Sequence, residues 1–410
     1  MKVCILYDGD YPWDVRIEKM TATLAANGYQ IHLVCRNLSK QPAYEFSNNI
    51  HIHRLAFFAT DSINQWCSFP AFFNPIWLRQ LRRVIKTYSI GLIIVRDLPL
   101  ALAAIMVGRS RNLPVILDMA ENYPAMLRDI WKYEEFKFVN FFVRNPIAAK
   151  VIELLALKTA THVMVVIEES QNRLTKLGLA ESSISIVRNT PILSSRNGET
   201  RSATSRKDAS DPVRCLNLIY VGGLEPMRGL EALIQSVPQL IEQTPQLRLT
   251  IVGGGKWQSQ LQADVDRLGA SRYVTLTGRL PYSEALKRVE QSDAGIIPHR
   301  ITPHTTSTIP NKLFEYMANG IPVVATDMAP VKRIIEETDC GYVYSNVSEL
   351  VTALRNLSDD NNRERLGNNA LEASRGRYNW EMDGAILLKT IRLAMRRVPP
   401  RDLVADSVGR

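Results

Sequence analysis

From Val3 to Tyr344 the sequence alternates short apolar runs, rich in Val, Ile and Leu, with longer stretches whose apolar residues recur every three or four positions. Short apolar strands separated by amphipathic helices are joined by crossovers, and crossovers build parallel sheets. The chain is therefore expected to be α/β. Strands are predicted near Val3–Tyr7, Ile31–Cys35, Ile50–Leu55, Leu92–Val95, Val115–Leu117, Val163–Val166 and Ile184–Val187 in the first half. In the second half they are predicted near Leu216–Val221, Leu249–Val252, Val274–Leu276, Ala294–Ile297, Val323–Ala325 and Tyr342–Tyr344.

With 410 residues the chain exceeds what one ordinary core holds, so two domains are expected. The natural division is "SSRNGETRSATSRKDASDP", residues 194–212, a polar stretch with too few large apolar side chains to offset the entropy of ordering. This gives a first domain over 1–193, a linker over 194–212 and a second domain over 213–379. A helix over 380–397 is expected to pack back toward the first domain, followed by a polar tail, 398–410. No run approaches the roughly 18 apolar residues that cross a bilayer, and "MKVCILYDGD" reads as a strand entering the fold at once, without a signal peptide. Five scattered cysteines with no CxxC spacing argue against a disulfide framework or a zinc site and for the cytoplasm. A net charge of +9 and a pI near 9.3 call for an anionic partner: nucleic acid, a phosphate-rich substrate or a membrane surface.

In open parallel sheets ligands lie beyond the carboxyl ends of the strands, where loops and helix N-termini converge. Three strand ends stand out. "LIYVGGLEPMRGLEALI" places Gly222 and Gly223 in a tight turn, then Arg228 and Gly229 at a helix start. Glycine lets phosphate approach backbone amides, and a guanidinium grips it with a forked donor. "LTIVGGGKW" repeats the pattern with Gly253 and Gly254. Each also reads as an ordinary strand-to-helix turn. In the third, "STIPNKLFEYMANGIPVVATD", Pro310 suits the first helical position and Gly320 the stop. Leu313, Phe314, Met317 and Ala318 form the buried face. Glu315 lies among them; its two carboxylate oxygens match the two donors of vicinal ribose hydroxyls. The plainer reading pairs Glu315 with Lys312 or Lys332.

These stretches, with "VTLTGRLPYSEALKRVEQSDAGIIPH", "VIEESQNRLTKLGLAESSISIVRNTP" and the closing "YNWEMDGAILLKTIRLAMRR", resemble in order and spacing the family-4 glycosyltransferases. The resemblance covers nearly the whole chain. It implies the GT-B fold, two Rossmann-like doubly wound parallel-sheet domains facing across a cleft. It also implies transfer of a sugar from a nucleotide diphosphate sugar with retention of configuration, without a metal or other cofactor. By the same resemblance Glu315 holds the donor ribose and Arg228 the diphosphate. The helix beginning near Pro310, Asn311, Lys312 and Leu313 aims its amides at the phosphates.

The sequence departs from the family pattern at Gly223, where an arginine is usual, and at Ser307, where a first glutamate is common. With Gly223 in place, diphosphate charge must fall more heavily on Arg228, helped by Arg300 or Lys312. In the first domain "VILDMAENYPAML" sets Asp118 and Glu121 at a strand end, with Ala120 where the family commonly has a histidine. Asp118 and Glu121 are candidates for donor sugar or acceptor, against a reading in which Asp118 caps the next helix. Arg16 meets acceptor or phosphate, or is a helix-start surface residue; His299, in the loop before Pro310, faces donor sugar. Glu121 and Arg228 are the candidate catalytic groups, and no side-chain nucleophile is assigned.

"FFNPIWLRQLRRVIKTY" and "MLRDIWKYEEFKFVNFFVRNP" mix basic residues with aromatic anchors. They fit a peripheral contact with anionic lipid near a lipid-linked acceptor, or core helices with solvated basic faces. The six histidines have no acidic or thiolate companion at ligand spacing, so no metal site is expected. The absence of GxGxxG disfavours a dinucleotide oxidoreductase, and no nucleic-acid reader motif occurs. Two alternatives remain: a sugar-nucleotide epimerase of the same architecture, and a sugar-nucleotide-binding scaffold with weakened catalysis.

Overall fold

The computed structural model describes residues 1–12, 14–69, 72–133, 144–193 and 215–397. The expected linker and tail, and the aromatic stretch 134–143, lie outside the described residues. Of those described, 1–124, 144–187 and 384–397 form one compact unit; 125–133, 188–193 and 215–383 form the other.

The first unit is built on eight strands: β1 (Lys2–Leu6), β2 (Gln30–Cys35), β3 (Tyr44–Ser47), β4 (Ile50–Arg54), β5 (Leu92–Arg96), β6 (Val115–Met119), β7 (His162–Val165) and β8 (Ile184–Ile186). Their order is β3-β4-β2-β1-β5-β6-β7-β8, parallel throughout except for β3 against β4. Val3, Cys4, Ile5 and Leu6 are all fully buried, as a strand covered on both faces must be. Helices pack onto it with side-chain caps: Asp14 accepts from the Ile17 amide and Asn145 from the Ile147 amide. Arg397, at the end of the helix Trp380–Arg397, donates to Ser183 Oγ at 2.7 Å and Ser182 O at 2.9 Å, both in this unit.

Strand β3 was not expected. Its burial alternates between half-buried and exposed, so it lacks the apolar signal of the others. Asn48 and Asn49, with φ of 50° and 62°, join it to β4 in the two-residue turn that suits the twist of a hairpin.

The second unit has six strands, all parallel: β9 (Leu216–Val221), β10 (Leu247–Val252), β11 (Val274–Gly278), β12 (Ala294–Ile297), β13 (Val323–Thr326) and β14 (Gly341–Tyr344). The order β11-β10-β9-β12-β13-β14 runs outward from β9 in one direction, then returns to β12 and runs outward in the other. The reversal between β9 and β12 opens a crevice at their carboxyl ends. Leu218 and Tyr220 of β9, Ile251 of β10 and Leu233 and Ile234 of the helix Leu230–Gln243 form the centre of the core beneath it.

The helix Pro75–Tyr88 packs its apolar face into the core, so Trp77 is not an exposed aromatic anchor, while its basic residues stay outside. Trp77 is fully buried and donates its indole N–H to Ser68 O at 3.1 Å, with Leu81, Val84 and Ile85 on the same buried face. Arg79, Arg82, Arg83 and Lys86 form the solvated face. No described helix is long and apolar enough to cross a membrane.

Candidate active site at the carboxyl ends of the two sheets

The two glycine turns of the second sheet are fixed first by each other. Gly222 (φ +150°) and Gly253 (φ +146°) carry the ends of β9 and β10 so close that a Cβ on Gly253 would stand 1.9 Å from the Gly222 carbonyl oxygen. The plainer reading of these glycines, tight turns between packed strands, thus accounts for Gly253; Gly254 abuts the Arg279 side chain. Gly223 differs, since a Cβ there would make only ordinary contact with the Glu225 carboxyl at 3.4 Å.

The helix Asn311–Ala318 has Pro310 as its N-cap, so it begins one residue after the expected start. Tyr316, fully buried, fastens it: its hydroxyl accepts from the Val221 amide at 3.1 Å and donates to Ile219 O at 3.2 Å. Its ring occupies the space a side chain on Gly295 would need. Leu313 is fully buried, so only its backbone faces a ligand site.

With the helix pinned at β9, Lys312 and Glu315 take fixed places. Lys312 Nζ lies 3.5 Å from the centroid of the Tyr220 ring, whose hydroxyl donates to Gly223 O at 2.8 Å, and 3.5 Å from His299 Nε2. Glu315 is half-buried and accepts from the Tyr282 hydroxyl at 3.4 Å. The partners of its plainer reading are engaged elsewhere: Lys332 pairs with Asp327 at 3.2 Å, Lys312 with His299 and Tyr220. Arg228 stands on the turn Pro226–Arg228 with its side chain 38% exposed and its Nε 3.8 Å from a Glu225 oxygen. Burial, then the neighbouring Lys312 and Arg228, hold the His299 imidazole well below its usual pKa. Burial and Arg228 likewise push the Lys312 amine well below the lysine range, against a smaller opposite pull from Glu225.

Three of the expected residues have partners within the second unit. The Ser307 hydroxyl donates to Pro303 O at 2.6 Å inside its own turn and is 6% exposed. His299 is 2% exposed and faces Lys312. Arg300 donates to Pro226 O at 3.0 Å and Glu231 at 3.1 Å, which ties it to the turn bearing Arg228. Sequence reasoning missed Asp129, which accepts from Thr302 Oγ1 at 2.6 Å and holds the loop leading to Pro310. It lies 173 residues from its partner, and no local pattern marks it.

In the first unit Arg16 and Asp118 find each other. Arg16 donates Nε and Nη2 to the two Asp118 oxygens at 2.9 and 2.6 Å and Nη1 to Val187 O at 2.9 Å. At 1% and 0% exposure these side chains form a buried brace, so Arg16 is not a helix-start surface residue. Arg96 adds a third bond to Asp118 at 3.3 Å. Burial raises the Asp118 carboxyl, but Arg16 and Arg96 outweigh it and hold it below the ordinary range. Asp97, accepting from the Ala120 amide at 3.1 Å, is pushed up to about 7 by burial, despite Arg96 and with Asp118, Glu121 and Asp8 adding to the rise. Glu121 stands half-buried beyond β6. Arg96 and Asp97 close strand β5 in "VRDLP", a polar pair at a strand end that sequence reasoning passed over.

Residues 204–373 match the family model described as glycosyl transferases group 1, and residues 14–190 the one described as glycosyl transferase 4-like domain. Sucrose-phosphate synthase from Thermosynechococcus elongatus superposes with a TM-score of 0.75 at 16% identity, covering 97% of this chain and 98% of that one. Anabaena HepE in complex with UDP gives 0.67 at 15% identity, covering 96% of this chain and 100% of that one. These likenesses place the fold in the GT-B class. A curated relative from Corynebacterium glutamicum is named a GDP-mannose-dependent monoacylated alpha-(1-6)-phosphatidylinositol monomannoside mannosyltransferase. It is 26% identical over 209 residues, 50% of this chain and 52% of that one. The chain spans about half or less of the length of the curated relatives it matches.

Proposed function

Given that the chain belongs to the group 1 glycosyltransferases, we propose that it moves a sugar, with retention and without a metal, from a nucleotide diphosphate sugar to a glycan or lipid-linked acceptor. Such a transfer fits polysaccharide or glycolipid assembly. The observation that supports the reading is that the helix Asn311–Ala318, which carries Lys312 and Glu315, is pinned to β9 by Tyr316 with Lys312 over the Gly222 turn and beside Arg228.

As the bond from the sugar's anomeric carbon to the diphosphate breaks, negative charge grows on the leaving oxygen and the sugar becomes oxocarbenium-like. Preorganised donors aimed at that charge supply the largest share of such catalysis. Arg228 offers a half-exposed guanidinium, and the amides at the start of the pinned helix, with no side-chain cap bond, offer further donors. Glu315 is placed to accept both hydroxyls of the ribose. Glu121 is kept as the acceptor or sugar contact, and Asp118 and Arg16 serve as the brace behind it.

HepE was crystallised in complex with UDP and the Corynebacterium relative is named for GDP-mannose, so the base is a matter for experiment. Thermal melting with UDP, GDP, ADP and their sugars tests the reading, since a ligand that binds only the native state raises its stability. One of them is expected to raise Tm, and Glu315→Ala to remove the shift. An unchanged shift in the variant refutes the ribose assignment. We also place the enzyme at an anionic membrane face, on the support of the solvated row Arg79, Arg82, Arg83 and Lys86. Failure to sediment with anionic vesicles at low salt removes that part.

A further inference from the structure

We propose that Lys312 takes up a proton when a nucleotide diphosphate enters the turn after β9, so that donor binding and charging of this amine are a single event. The inference rests on the functional reading above and concerns how that site acquires its positive charge.

The amine lies over the glycine turn: a Cβ on Gly222 would stand 2.9 Å from Lys312 Nζ. Beneath it is the Tyr220 ring at 3.5 Å, and beside it His299 Nε2 at 3.5 Å. Among the described residues no carboxylate lies within ion-pair distance of it; Glu225, the nearest acid to bear on it, sits 3.8 Å from Arg228 instead. The groups around it are thus Tyr220 from β9, Arg228 and Glu225 from the following turn, His299 and His304 from the loop after β12, and Glu315 and Tyr316 of its own helix.

Lys312 is half-buried, and an amine shielded from water in this way, beside a guanidinium and without a counter-ion, is biased toward its neutral form, which a ring face offsets only in part. A neutral amine can donate to the His299 nitrogen, which burial also keeps uncharged. A diphosphate reverses the balance, because its oxygens supply the missing counter-charge and accept the ammonium's hydrogen bonds. Arginine at this position would remain charged throughout, its pKa lying far above neutrality. The lysine therefore lets this half-buried position wait uncharged and become cationic only when occupied.

The test is calorimetric titration of the full chain with UDP and with GDP at pH 8, in buffers of different ionisation enthalpy. At that pH the nucleotides are already fully ionised, so a net proton gain belongs to the protein. Wild type is expected to take up close to one proton per nucleotide bound, with affinity falling as pH rises from 7 to 9. Lys312→Arg should bind without proton uptake and lose the pH dependence, while Lys312→Met should bind about tenfold or more weakly. Binding by wild type without uptake, or uptake that persists in Lys312→Arg, overturns the proposal and leaves the diphosphate site standing. Binding of no nucleotide by wild type overturns the functional reading itself. The wild-type measurement decides the matter even if Lys312→Met fails to fold.

Discussion

Glu315 and Tyr316 are neighbours in sequence with opposite settings, one half-buried beside Tyr282 and one locked into the sheet. Tyr316→Phe keeps the ring but leaves the Val221 amide and Ile219 carbonyl without their partner. The loss is expected to be about 1–3 kcal/mol, the usual penalty for orphaned buried groups, read as a lower urea midpoint. Nucleotide affinity should fall with it, because the same bonds fix the helix that carries Lys312 and Glu315. Gly222→Ala meets both an unsuitable φ of +150° and the Lys312 amine, so it should weaken binding more than Gly223→Ala, whose Cβ has ordinary room; parallel titrations with one nucleotide rank the two. Glu315 was legible in sequence because a carboxylate near a helix start, among apolar neighbours, needs a reason. Arg16 and Asp118 were legible as polar residues at strand and helix ends, but their pairing across 102 residues was not.

At the level of elements the brace ties the helix Val15–Ala26 to β6 and to the segment after β8. Arg16→Met removes one partner of a buried pair and should cost about 3–5 kcal/mol by denaturant unfolding. A merely surface arginine would change stability by far less. The β2–β4 pairing sets a second test. His32 and His53 stack with ring centroids 5.4 Å apart beside His51 and Tyr88, and burial, then neighbouring histidines, lower their pKa values to about 3 and about 4. The unfolded chain binds protons near the ordinary histidine value, about 6.5, before the folded one does. Stability from these neutral rings is therefore complete above that value and drains away as pH falls toward 4. The urea midpoint should drop between pH 7 and pH 5, and His32→Phe should shrink the drop. Thirteen strands could be read from apolar runs, because burial on both faces leaves a pattern in the chain itself. Strand β3 has no such face and declares itself only through Asn48 and Asn49, whose left-handed backbone makes the turn.

Over the whole molecule, two sheets followed from length and alternation, whereas the excess of basic charge specified no partner. In the helix Pro75–Tyr88 the same residue types fit an aromatic lipid anchor or a core residue, and only the burial of Trp77 assigns that ring to the core. Spatial grouping was also out of reach of a linear reading. Residues 125–133 follow β6 in the chain yet group with the second sheet, where Asp129 receives the Thr302 hydroxyl. Half of this protein is thus not a separable length of polypeptide. A fragment spanning 215–383 would arrive without the carboxylate that steadies its own loop, so exchanging halves with a relative would succeed only if that short borrowed helix travelled along.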